Sequence, residues 1–244
     1  MKNLNIQSNN LWLLTLSYST IIVIANWFDA RLIKIVNLVT DAGTLIFPLT
    51  FLLSDLITEV YGYKYARRAI WCGFLFNGLF IVYGQIVIHL PGPDYPNNNA
   101  LFDAVMTMNT RVLLASAISY ICAEPLNSII MAKLKLRWQG RAMGARFIAS
   151  TVAASGLDSW IFGIIAFYGM IQIEHLLSLI LTMWLIKVMV EITGLPISVS
   201  LAAALKRVEK LDVYDLHTKF GIFSLDTHYT SGENRYLKAP GKTD

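Results

Sequence analysis

Six stretches of this chain are apolar over roughly the 20 residues a helix needs to cross a bilayer, and that limits the fold more than any motif does. They run from Leu11 to Phe28, Gly43 to Val60, Ala69 to Leu90, Arg111 to Met131, Phe147 to Met170 and His175 to Leu205. In hydrocarbon every backbone N–H and C=O must find its partner within the segment or within a closed barrel, so each stretch is read as an α-helix. Only 15% of the 244 residues are charged, against about 25% in a soluble domain. The expected fold class is therefore all-α: a polytopic membrane protein with six transmembrane helices over residues 1–205 and a cytoplasmic tail over 206–244. The opening MKNLNIQSNN runs into the first stretch without a small-residue cleavage site, which reads as a span and not as a signal peptide.

The basic residues set an expected orientation. Lys64, Arg67 and Arg68 lie between spans two and three, Lys133, Lys135, Arg137, Arg141 and Arg146 between four and five, and Lys206, Arg207 and Lys210 after six. The other side has only Arg31, Lys34 and Arg111. The positive-inside rule then places both termini in the cytoplasm. The same clustering argues against nucleic acid as the reason for a net charge of +4. Pro91 to Thr110 reads as the one long external loop, rich in turn residues. Gly194 and Pro196 predict a kink or break near Thr193 in the last stretch. Five aromatic residues, Tyr214, Phe220, Phe223, Tyr229 and Tyr236, argue that part of the tail docks. Cys72 and Cys122 lie in apolar runs and read as small hydrophobes.

The residues that demand an explanation are the charges inside the spans. Asp55 and Glu59 share one face of span two at i, i+4; Glu124 stands with Asn127 in span four, Asp158 in span five, and Lys187 with Glu191 in span six. Each buried charge costs at least about 2.5 kcal/mol at mid-bilayer, so it is by default a functional residue. Five acids against one lysine cannot all be neutralised internally. Some hold protons, or they await a donor-rich or cationic solute. For the latter, Phe47, Phe51, Phe74, Phe76 and Trp160 are candidates to stack on a flat ring. Structural readings stand beside these. Glu59 has Lys64 and Arg67 nearby as ordinary partners, Lys187 and Glu191 are one turn apart and can neutralise each other, and Asn127 serves equally well as interhelical glue. Asn77 and Gln85 lean the same way.

Catalytic and metal signatures are missing from the sequence. The four histidines sit at span ends or in the tail without metal-ligand spacing, and there is no Walker-type phosphate loop. The chain is expected to be neither an enzyme nor a cofactor protein.

The run FPLTFLLSDLITEVYGYKYARR, Phe47 to Arg68, closely resembles the signature of the queuosine precursor transporter family, also called the vitamin uptake transporter family. Glu124 with Asn127, Asp158, and YDLHTKF from Tyr214 to Phe220 extend the resemblance over nearly the whole chain. Gly221-Ile222-Phe223 departs from it, since Asn-Pro is expected before the phenylalanine. The resemblance implies import across a bacterial inner membrane of 7-deazaguanine bases, 7-cyano-7-deazaguanine or 7-aminomethyl-7-deazaguanine, for queuosine in tRNA. An aminomethyl substituent adds a cation that suits the acidic surplus. A membrane subunit served by separate ATPase subunits is the alternative machine, and an acid–base membrane enzyme is a third. The partners expected are the deazapurine and the lipid bilayer, with a homodimer open. Three plus three spans also allow an inverted arrangement, with Pro48, Pro125 and Pro196 in spans two, four and six, although the halves show no sequence repeat.

Overall fold

The structure is a computed structural model; it describes residues 10–35, 37–95 and 97–236, and not the side chains of residues 108 and 109. The outermost residues of both termini, whose cytoplasmic location the loop charges predict, lie outside the described residues. Among the described residues, six helical segments are long and apolar enough to span a membrane. Helix α1 is Leu11–Phe28, α2 Pro48–Tyr61, α3 Tyr63–Val87, α4 Asn99–Arg137, α5 Met143–Phe167 and α6 Ile173–Glu209. The fold class is the all-α polytopic one the hydropathy predicts.

Helix α2 is the organising element. It touches α1, α3, α4, α5 and α6, and it is far more enclosed than α3, which presents most of its surface outward. Its 14 residues rise only about 21 Å, less than the hydrocarbon thickness of about 30 Å. A 3-10 turn, Gly43–Leu45, lengthens the span, and Pro48 opens α2 at a first-turn position where its missing N–H costs nothing. Ahead of that turn lies a two-stranded antiparallel hairpin, β1 Leu32–Ile35 and β2 Leu38–Asp41, with Leu32 opposite Asp41. The sequence reading had assigned no strand here.

Two further expectations are corrected. The external loop is shorter than Pro91 to Thr110, because α4 begins at Asn99; ALFDAVMTMNT continues the helix beyond its apolar window, since water-exposed helix does not need apolar residues. Of the kink or break expected near Thr193, the structure overturns the break. Helix α6 runs through Pro196, and the Thr193 hydroxyl donates to the carbonyls of Met189 and Val190.

At the basic end, α2 passes directly into α3 through Gly62, at φ +87°. Glycine is needed there twice over, because a Cβ would also meet the Tyr229 hydroxyl at 2.5 Å. Having no side chain, Gly62 cannot cap α3. The tail does so instead. Asp215 accepts from the Tyr63 N–H at 3.0 Å, and the Tyr229 hydroxyl accepts from the Lys64 N–H at 3.0 Å while donating to Asp215 at 2.5 Å. A carboxylate at a helix N-terminus satisfies orphan N–H groups and complements the helix dipole. Val213 N–H bonds the Val60 carbonyl, and Tyr229, Val213 and Leu211 join Ile57, Val60 and Tyr61 in one apolar cluster. The tail is thus docked, as its aromatics predict.

Candidate functional site

Polar residues recur along α2 at Thr50, Ser54, Asp55, Thr58 and Glu59, all buried. At about 100° per residue they fall within one half of the helix circumference. Helix α5 carries a matching stripe at Arg146, Ser150, Thr151, Ser155, Asp158 and Ser159, also buried. With Glu124, Asn127 and Ser128 of α4 and Lys187 and Glu191 of α6, these stripes converge around α2. The sequence points to the acids and to Ser155 before Asp158; the other hydroxyls escape it, although their spacing is an available signal.

Midway along α2 the carboxyls are each half satisfied. Asn127 Nδ2 donates to Asp55 Oδ1 at 2.7 Å. Ser150 Oγ lies 3.4 Å from both Asp55 oxygens, but closer to the carbonyls of Arg146 and Phe147. Thr50 Oγ1 donates to Glu124 Oε1 at 2.8 Å, and Thr151 Oγ1 to Glu191 Oε2 at 3.1 Å. Lys187 Nζ meets Asp158 Oδ2 at 2.5 Å and lies 5.0 Å from the Phe47 ring centroid. Left without a hydrogen-bond partner among the described residues are Glu124 Oε2, Asn127 Oδ1, Glu191 Oε1, Asp158 Oδ1 and Ser155 Oγ. Four of these five are carboxyl or amide oxygens, which accept whenever the carboxyl is ionised. An unsatisfied buried acceptor costs about 1–3 kcal/mol, and Asp55, Glu124, Glu191 and Asp158 are close enough to act on one another electrostatically. The arrangement is chemically matched to a solute presenting several N–H donors or a positive charge.

Glu59 belongs to a different group. Its carboxylate takes both guanidinium nitrogens of Arg146, at 2.6 and 3.0 Å, and Lys206 Nζ at 2.5 Å. Lys135 reaches its backbone carbonyl and that of Val213, and Asp212 of the tail forms ion pairs with both Lys135 and Lys206 at 2.8 Å. The expected partners Lys64 and Arg67 are elsewhere. The turn at Gly62 directs them to the tail, where Lys64 pairs with Asp226 at 2.7 Å and Arg67 donates to the carbonyls of Gly221 and Asp226. Lys187 and Glu191 do not neutralise each other either, because each finds a closer partner on α5. Glu59 thus locks the basic end, one turn beyond Asp55 on the same side of α2.

The aromatic candidates divide. Phe47 and Phe51 are buried and pack edge to face, with centroids 5.7 Å apart. Phe74 stacks on Tyr120. Phe76 and Trp160 are 53% and 45% exposed on the outer surface of the helices, and the structure removes them from the site: a lipid-facing position is as apolar as a core one, so hydropathy alone does not separate the two. Among the described residues, Asn77 is buried with its Oδ1 unpartnered, and Gln85 donates to Thr110 at 3.0 Å. No three or more of His, Cys, Asp and Glu among the described residues are grouped to hold a metal.

Comparison with known proteins follows the same lines. A protein of Bacillus subtilis (strain 168) described as "Probable queuosine precursor transporter" is 24% identical over 177 residues, covering 71% of this chain and 76% of its own. No solved structure matches the chain. Residues 41–201, which take in α2, α3, α4 and α5 and the greater part of α6, match the family described as "Putative vitamin uptake transporter". The chain belongs to this vitamin uptake transporter family.

Proposed function

We propose that the protein is a carrier, not an enzyme, that imports a queuosine precursor of the 7-deazaguanine type, with its basic end and tail on the cytoplasmic side of a bacterial inner membrane. The observation that carries this reading is the set of unpartnered buried acceptors around Asp55. A guanine edge offers adjacent N–H donors that carboxylates accept in pairs, and the Phe47 and Phe51 rings beside the acids give a flat solute an apolar wall. The description of the Bacillus subtilis relative supports the same solute class.

Asp55, Asn127, Glu124 and Glu191 bind the ring in this reading, and Asp158 with Lys187 flanks it toward the hairpin end. Asp55, Asn127, Glu124 and Glu191 are all buried, and the flanking cavity beside Phe47, Asp158 and Lys187 measures about 10 Å³, whereas ligand pockets occupy about 300–1,000 Å³. The helices around α2 therefore separate to admit the solute, and the conformation described is a closed one. Pro125, next to Glu124 within α4, leaves the Ile121 carbonyl without its helical donor and supplies a point of bending.

The test is uptake in a strain unable to make the precursors. Each base is supplied at low concentration and queuosine in tRNA is measured with and without this protein. Restoration by the wild type and not by Asp55→Asn, at equal membrane abundance, is expected; normal uptake by Asp55→Asn counts against the site. Dependence on a co-purifying ATPase would instead favour the multisubunit alternative.

A further inference from the structure

The proposed solute site leaves a second group of acids unused. Asp29, directly after α1, and Asp41, the last residue of β2, are both buried. Asp41 is held in place by Thr44, whose N–H and hydroxyl donate to its two oxygens at 2.6 and 2.5 Å. The Asp29 carboxyl faces the same small cavity as Asp41. Two carboxylates in one water-sized cavity repel each other, and a proton on one of them removes the repulsion. Gly43 makes the approach possible, since a Cβ there would fall 1.7 Å from Asp29 Oδ1 and 2.6 Å from the Ala25 carbonyl oxygen.

Both acids line the cavity of about 10 Å³, together with Asp158, Lys187, Thr44 and Phe47. That volume admits about one water and no organic solute. Asp158 supplies an independent observation: its side chain is only 4% exposed and its Oδ1 has no partner among the described residues, while Oδ2 takes Lys187. The one ammonium in the cavity is thus committed to Asp158, and the Asp29–Asp41 pair needs a positive charge of its own. The groups facing Asp29 are Asp41 on β2, Asp158 on α5 and Lys187 on α6. Asp158 in turn acts on Glu124, so this cavity and the solute site are electrostatically joined.

We propose that Asp29 and Asp41 form a proton-binding site, distinct from the solute site, through which a proton gradient drives transport. The pair accepts one proton from water at the hairpin end, forming one O–H bond, and releases it to water on the far side as the carrier cycles. When the proton leaves, the second negative charge competes with Asp158 for Lys187, and the change reaches Glu124 through Asp158. This deepens the carrier reading and rests on it.

The experiment uses purified protein in proteoliposomes: wild type, Asp29→Asn and Asp41→Asn, with radiolabelled 7-aminomethyl-7-deazaguanine. Accumulation driven by a pH gradient is compared with exchange in the absence of any gradient, and infrared difference spectra follow protonated carboxyl bands with pH. Either variant is expected to lose at least about tenfold in gradient-driven accumulation, within the range of site-to-site coupling, while exchange persists. Asp29→Asn is also expected to lose one protonated-carboxyl band present in the wild type. Undiminished gradient-driven accumulation in both variants, or accumulation that follows a sodium gradient at constant pH, overturns the proposal. Should the wild type carry no deazaguanine, the solute reading fails, and the infrared band still decides the proton site: its presence in the wild type and loss in Asp29→Asn supports the pair, and its absence from the wild type overturns it.

Discussion

Glu59 and Asp55, one turn apart on the same helix, show how completely surroundings decide a carboxylate's role. Glu59 receives a bidentate guanidinium and an ammonium, whereas Asp55 receives one amide and a distant hydroxyl. Replacing Glu59 by Gln leaves Arg146 buried with its charge uncompensated. Breaking such a pair costs about 3–5 kcal/mol, so Glu59→Gln is expected to lower the unfolding temperature in detergent sharply, measured by intrinsic fluorescence; an unchanged transition would show the ion cluster to be dispensable. The aromatic pair gives the opposite kind of contrast. Phe47→Ala is expected to weaken solute binding by roughly 1–3 kcal/mol, the usual contribution of a stacking ring, while Phe76→Ala, on the outer surface, leaves it unchanged in the same equilibrium binding assay. Asp55, Glu124, Asn127 and Asp158 were legible in the sequence because a polar residue in a span needs a reason. The partners of Glu59 were not, since Arg146, Lys135 and Lys206 come from three different helices and meet only in the folded chain.

The tail and α3 form one cooperative element. Asp215 and Tyr229 supply the cap that Gly62 cannot, so Asp215→Ala is expected to undock the tail and free the backbone at the exposed Lys219 for faster trypsin cleavage under native conditions, with the cleavage rate as the measurement. Hydrogen bonding to the Lys64 ammonium holds the Asp226 carboxyl below its ordinary value of 3.8. With a depressed folded value, this contact contributes fully above the ordinary one and is lost as pH falls through the lower one. Trypsin is inactive in that acid range, so pepsin is the probe there: sensitivity of the tail beyond the rise in the protease's own rate is expected only below about pH 4, and its appearance near neutrality would contradict the assignment. The β1–β2 hairpin escaped the sequence reading because ten residues of LIKIVNLVTD carry too little alternation to stand out beside six helical stretches. The hairpin nonetheless brings Asp41 back onto Asp29, which no helix-only topology predicts.

At the scale of the molecule, hydropathy specifies six helices and leaves their faces undetermined. Apolar residues point to lipid and to core alike, which is why α3 turns Phe76 outward and α2, no more apolar, sits at the centre. What breaks that degeneracy is the polar stripe on α2 and its counterpart on α5, both buried among the helices. The carrier account requires this closed arrangement to open for one class of solute and to hold that solute through Asp55. Equilibrium binding of radiolabelled 7-aminomethyl-7-deazaguanine to purified wild type and Asp55→Asn tests it most directly. Saturable binding by the wild type is predicted, with a loss of about 30-fold or more in Asp55→Asn, equivalent to the roughly 2 kcal/mol of a charged hydrogen bond. Equal affinity in the two proteins, or no saturable binding by a wild type that remains folded, would contradict it.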